Sequence, residues 1–164
     1  MAYDIYDASI PPLIHMLGSL SHILSKGEAH GGIDPTEARL APDMLTLHRQ
    51  VHIATDGAKG CGGRLAGAEI PKFEDTETTF PELKARVAKT IAYLKALDRK
   101  DFAGAENKDI VLKFPNKTLE YKGGDYVGNF VLPNTYFHIT TAYGILRNRG
   151  VALGKPDYLG GAQD

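Results

Sequence analysis

The chain is short of several things, and each shortage excludes a class of protein. It has one cysteine, Cys61, so no disulfide can close within it and a reducing compartment is expected. No apolar run approaches the ~20 residues of a membrane span, so the chain is not expected to cross a membrane. An excess of one charge is also missing, since 19 Lys and Arg against 20 Asp and Glu leave a formal charge of −1. There is no global field to gather phosphates and no basic run with interleaved aromatics, so nucleic acid is not an expected partner. The opening MAYDIYDASIPP has acids and prolines where a signal peptide has a basic region and an apolar run, which points to the cytoplasm. What is present is 164 residues, 43% apolar and 24% charged. That length and composition suit one soluble globular domain over 1–164, with no internal repeat.

Helical periodicity organises most of it. Ser9 reads as an N-cap, with Pro11 and Pro12 in the first turn of a helix over 10–30. Ile10, Leu13, Leu17, Leu20 and Leu24 line one face; His15 and His22 lie opposite, toward solvent or another subunit. Gly31-Gly32 ends it, and Asp34-Pro35-Thr36-Glu37 opens a short helical piece. A second helix follows over 42–66, its face built from Met44, Leu47, Val51, Ala54, Ala58, Gly62 and Leu65. Gly57, Gly60, Gly62 and Gly63 each sacrifice up to ~1 kcal/mol of helix propensity relative to alanine, so close packing or a site must require them. The loop AEIPKFEDTETT is acidic and exposed in character. Thr79-x-x-Glu82 is a capping box that starts a third helix over 80–98, with Leu83, Val87, Ile91 and Leu94 as its stripe and Lys84, Arg86, Lys89 and Lys95 as a solvated face.

From Asp109 the period falls to two, predicting a β-hairpin over 109–122 that turns at Pro115-Asn116-Lys117 and rests on the helices, because two strands alone are marginal in water. Asp125 is placed to cap a fourth helix over 125–149, closed by Gly150. Pro133 either kinks this helix one turn before His138 or marks its start; Val127 and Val131 already continue the apolar stripe and favour the kink. The tail should dock its first part and fray at its last residues. The fold class is mainly all-α: an antiparallel four-helix bundle with a small hairpin between helices three and four.

Chemistry, in such a bundle, is sought on inward faces. Val127, Val131, Asn134, His138, Thr141, Ala142 and Ile145 share one face of the fourth helix. An unpaired buried amide or imidazole costs roughly 1–3 kcal/mol, so Asn134 and His138 need partners or a purpose. His48 and His52 in HRQVH have metal-compatible i, i+4 spacing, but Arg49 stands where the H-E-x-x-H protease motif needs glutamate. Cys61, His138 and Asn134 are the residue types of a papain-like triad, yet Cys61 lies on a glycine-rich helix with no activating N-terminus and reads as packing. Asp56 and Lys59 read as boundary charges, and Tyr136, Phe137 and Tyr143 suit either an organic ligand or a dimer contact.

The last helix resembles the DinB/YfiT-like superfamily of four-helix bundles, whose fourth helix bears H-x-x-x-H and ends about three turns later at a glycine. Counting back from Gly150 puts the second of those histidines at His138 and the first at Asn134. LAPDMLTLHRQV, AKGCGGRLAG, FEDTETTF, LPNTYFHITTAYGILRNRG and GKPDYLGG are similar to one branch of that superfamily, small bacterial and fungal proteins grouped as a domain of unknown function. The resemblance covers nearly the whole chain. It implies a metal site built from one histidine of the second helix and two of the fourth, used in some members for thiol-dependent transfer or isomerisation.

Here Asn134 breaks that triad, leaving His138 with His48, or else His52 at the boundary of the core face, as ligands for a divalent ion such as zinc or nickel, for which a neutral amide is a weak donor. Two readings follow. In one, a pocket inside the bundle takes a small molecule, with His138 as base or ligand, Asn134 orienting the substrate and the metal site degenerate. In the other, Asn134 and His138 are a buried structural pair, and the protein works by binding or as a homodimer.

Overall fold

The computed structural model describes residues 3–160. Four long helices form the bundle. α1 spans Ile5–His30, α2 Leu47–Ala66 and α3 Phe80–Ala96. α4 runs unbroken from a first turn at Gly123–Asp125, through a π-helical stretch at Tyr126–Val131, into Leu132–Asn148. Two 3₁₀ turns, Arg99–Phe102 and Ala105–Asn107, lead from α3 to the antiparallel hairpin of β1 (Asp109–Phe114) and β2 (Lys117–Lys122). A short α5, Lys155–Leu159, follows α4.

The architecture agrees with the sequence reading, and the helix starts differ for local reasons. α1 begins five residues earlier than Ser9 would put it, because Asp4 and Asp7 form a reciprocal capping box; Ser9 is buried and donates to the Ile5 carbonyl at 2.6 Å. Pro11 and Pro12 therefore lie inside the helix. α2 starts at Leu47 rather than 42, since its first amides bond the Ala38 and Pro35 carbonyls of the preceding turn at 2.8 and 3.0 Å. The short helical piece expected there is a single turn, capped by the Asp34 side chain and closed by the Ala38 N–H on the Asp34 carbonyl at 2.9 Å. α4 starts at Gly123, two residues before Asp125. It does not begin at Pro133: the helix passes through the proline, directly after a π-helical stretch in which the Leu132 N–H bonds the Val127 carbonyl five residues back.

The helices surround a core that includes Leu13, Leu17, Leu20, Leu47, Val51, Leu83, Val87, Leu94, Ile139 and Ile145, all inaccessible to solvent. The antiparallel pairing holds for α1 with α3, where Lys84 meets Glu28 and Arg99 meets Asp7, and for α2 with α4, where Gln50 meets His138 and Arg64 meets Tyr126. These two pairs lie side by side with parallel neighbours. Thr55 faces Arg86 and Gly62 faces Leu94 across α2/α3, and Gly27 faces Leu146 across α1/α4. The glycines of α2 permit this approach: a Cβ on Gly62 would stand 2.6 Å from Leu97, and one on Gly63 2.3 Å from Ile70.

Parallel neighbours need a connection that travels back along the bundle. Residues 67–79 do so as a strap over the α2/α3 seam, with Ile70 at Gly63, Phe73 over Lys59 and Asp75 at Arg49. The hairpin rests on the start of α4 through Tyr121 and Phe114, whose rings lie 5.9 and 6.4 Å from that of Phe130. His15 and His22 lie on the outer face of α1 as expected, His15 exposed and His22 partly so, and they also bond the Leu159 carbonyl and the Asp157 carboxylate, docking α5 on α1. The Gly154 amide first, then His22 and Lys26, hold the Asp157 carboxyl down at about 2. The expectation of a fraying end falls on residues 161–164, outside those described.

Candidate functional site

The polar groups of α4 meet α2 in a seam. His138 is 8% exposed. Its Nδ1 lies 2.6 Å from Gln50 Oε1, while Gln50 Nε2 donates to the Leu45 carbonyl at 3.0 Å. That second bond fixes which end of the amide faces the ring, so His138 carries its proton on Nδ1 and donates it to Gln50, leaving the lone pair on Nε2. Burial pushes the His138 pKa below the ordinary imidazole value, keeping the ring neutral at pH 7. The partner of His138 is thus Gln50, not Asn134. Asn134 lies half-buried one turn earlier, opposite Gly57, where a Cβ would stand 3.5 Å from its amide nitrogen and 3.8 Å from Thr135 Oγ1. That hydroxyl is fully buried without a hydrogen-bond partner. Other helical hydroxyls here, those of Ser9, Thr55, Thr90 and Thr141, donate to the carbonyl four residues back.

His48 is not brought to this seam. Two residues along a helix are about 200° apart, so His48 and Gln50 leave α2 on different sides. His48 Nδ1 lies 2.8 Å from Thr46 Oγ1 and 3.1 Å from the Pro35 carbonyl. Its ring abuts that of His52 edge to face at 5.4 Å. Among the described residues, no group of three or more His, Cys, Asp or Glu is placed to hold a metal ion. Cys61 is buried, its thiol pushed up to about 12 by desolvation, and is packing as expected.

A second polar assembly lies under the strap, and it overturns the assignment of Arg86 to a solvated face. Arg86 is fully buried. Its Nε donates to Thr55 Oγ1 at 2.8 Å; one terminal nitrogen reaches the Glu74 carbonyl and Glu77 at 3.2 and 3.0 Å; the other reaches Asp56 and Asp75 at 2.9 and 3.1 Å. Four hydrogen bonds and the further ion pair with Asp75 compensate the buried guanidinium. Lys59, also buried, pairs with Asp56 and lies 4.1 Å over the Phe73 ring, so Asp56 and Lys59 belong to this assembly rather than to a loose boundary. His52 lies beside it, with Nδ1 accepting from Arg49 at 3.3 Å and the buried Nε2 3.2 Å from Glu77 without forming a hydrogen bond. Desolvation first, and the charge of Arg86 second, lower its pKa.

The family described as domain of unknown function (DUF1993) matches residues 5–159. The chain belongs to this family. The crystal structure of a DinB family member protein from Shewanella denitrificans is similar, at 40% sequence identity and a TM-score of 0.85 over 97% of this chain and 93% of that one. The family fold is therefore the DinB-like helical bundle, as the H-x-x-x-H comparison implied. No curated protein matches.

Gln50, which the sequence reading passed over, and Arg86, which it placed on a solvated face, prove central to the two polar assemblies. Both stand on apolar stripes: Leu47, Gln50, Val51 and Ala54 at i, i+3, i+4 and i+7, and Leu83, Arg86, Val87 and Thr90 at the same spacing. That spacing was the available signal.

Proposed function

We propose that the protein is a metal-independent bundle that works by binding rather than by chemistry, with His138 as a structural residue. The observation that carries this is the buried Nδ1–H bond from His138 to Gln50. It fixes the register of α4 on α2 and satisfies the group that most needs satisfying. The donors at the superfamily's metal position do not fit zinc or nickel: one imidazole faces two amides, Gln50 and Asn134, and His48 lies on another side of α2, whereas three good ligands are the usual minimum. Dialysed protein should accordingly retain substoichiometric zinc or nickel in elemental analysis.

His138→Ala and Gln50→Leu are each expected to lose about 1–3 kcal/mol in chemical denaturation, with a coupling of about 1 kcal/mol between them. The lowered His138 pKa sets the sign of the pH effect: the unfolded chain binds the proton more readily, so the stabilisation is full above about 6.5 and is lost as pH falls through that value toward the folded pKa. His138→Ala should flatten this part of the profile. The competing reading, a small-molecule enzyme with His138 Nε2 as base and Asn134 orienting the substrate, draws on the partnerless Thr135 hydroxyl opposite Gly57. It requires His138→Ala to be neutral or stabilising, as substitutions at functional sites often are.

The binding partner proposed is a second copy of the chain. The outer face of α4 presents Pro133, Tyr136, Phe137, Tyr143 and Gly144 beside Leu40 around a shallow cleft of about 480 Å³ with no charged residue in its lining. Phe137 is 55% exposed. An uncharged aromatic face meets its own copy across a two-fold axis without like-charge repulsion, and Gly144 lets the helices approach. Sedimentation should find a dimer that Phe137→Glu converts to monomer; a wild type that stays monomeric at high concentration would rule the dimer out.

A further inference from the structure

A different cleft, of about 570 Å³, opens where α1 and the start of α4 run parallel. Its floor is apolar, built from Ile5, Ala8, Val127 and Leu132, and Tyr3, Asp4 and Glu106 stand at its rim. Among the described residues, the only charged side chains lining it are carboxylates. Asp4 is shared with Arg99 at 2.9 Å, whereas among the described residues Glu106 takes part in no ion pair and accepts only from the Asn107 amide at 3.2 Å. Glu106 therefore supplies uncompensated negative charge beside an apolar surface. The Tyr3 ring, 77% exposed, adds an aromatic face free to close over a cation.

Gly128 in the same wall has no packing reason to be glycine. A Cβ there would meet nothing within 4 Å, and its φ is not in the left-handed region. Glycine inside a helix gives up about 1 kcal/mol relative to alanine, so what its bare backbone preserves is room in the cleft. It also lies within the π-helical stretch, an irregularity that recurs at binding sites.

We infer that this cleft binds a small amphiphile, its flat apolar body on the floor formed by Ile5, Val127 and Leu132 and its positively charged amine or quaternary ammonium against Glu106 and the Tyr3 ring. The cleft adjoins the proposed dimer face, since Leu132 and Tyr136 are one turn apart on α4 and, after burial and Tyr158, the Tyr3 hydroxyl helps raise the Tyr136 pKa.

The chain contains no tryptophan, so indole fluorescence reports cleanly on a bound probe. Tryptamine and indole-3-acetate share a ring system and carry opposite charges. Tryptamine anisotropy should rise saturably with protein, and indole-3-acetate should bind about tenfold more weakly. Glu106→Gln should weaken tryptamine about tenfold and tighten indole-3-acetate, so that the two affinities converge. Gly128→Leu, with unchanged circular dichroism, should block both probes. Unsaturable tryptamine, equal affinity for the two probes, or undiminished affinity in Gly128→Leu would each overturn the inference. If Gly128→Leu misfolds, the surface variant Glu106→Gln still decides it, and equal tryptamine affinity there counts against the inference.

Discussion

Arg86→Met is expected to lose about 3–5 kcal/mol of folding stability, the largest single-residue effect in the chain outside the apolar core. Methionine matches the length of the stem, so the loss measures the guanidinium rather than a cavity. Removing it leaves Glu77, the Glu74 carbonyl, Thr55 Oγ1 and a share of Asp56 and Asp75 without a donor. Asp56 and Asp75 are partly exposed and can turn back to water, whereas Glu77 is 12% exposed at the side chain and would remain as an uncompensated charge beside His52. Arg86→Lys should recover only part of the loss, since a single ammonium cannot span acceptors on α2 and on the strap. Urea denaturation measures both; a loss under about 1 kcal/mol for Arg86→Met would mean that apolar contacts hold the strap. Phe73 is the alternative anchor, with Lys59 and Lys89 4.1 and 4.9 Å from its ring centre.

The strap shows where sequence reasoning stopped. The helices, the hairpin and the third helix's cap were legible because each rests on local physics: the Thr79–Glu82 capping box and the 109–122 alternation appear where expected. The parallel placement of α2 beside α3 is a tertiary fact that no local period encodes. Without it the acids of FEDTET read as a solvated loop and Arg86 as a solvated face, although both follow once the loop must return along the seam. His138 on the buried face of α4 was legible from its spacing, but its partner was not. Asn134, four residues away on the same helix, was the apparent candidate, whereas the actual acceptor, Gln50, is 88 residues away in sequence on α2. The extra residues at the start of α1 turn on one reciprocal cap, Asp4 with Asp7, and a second plausible cap at Ser9 concealed it.

Gly123→Ala should destabilise the protein by about 2–4 kcal/mol even though it replaces glycine with the best helix former. A Cβ at Gly123 would stand 1.9 Å from the Ala105 carbonyl oxygen and 2.9 Å from its carbon. Those are backbone atoms of the 3₁₀ turn Ala105–Asn107, and they cannot yield as a flexible side chain does. The neighbouring glycine provides the control: at Gly124 a Cβ would make ordinary contacts at 3.7 and 3.9 Å with Glu106, so Gly124→Ala should be neutral or stabilising by up to about 1 kcal/mol. Two adjacent, chemically identical substitutions are thus expected to move stability in opposite directions, and thermal denaturation separates them directly. Equal midpoints would show that the turn does not lie against α4 as closely as described. Because Ala105 precedes Glu106, whatever relieves the clash at Gly123 also moves the cleft's uncompensated carboxylate, so Gly123→Ala should weaken tryptamine while the fold survives.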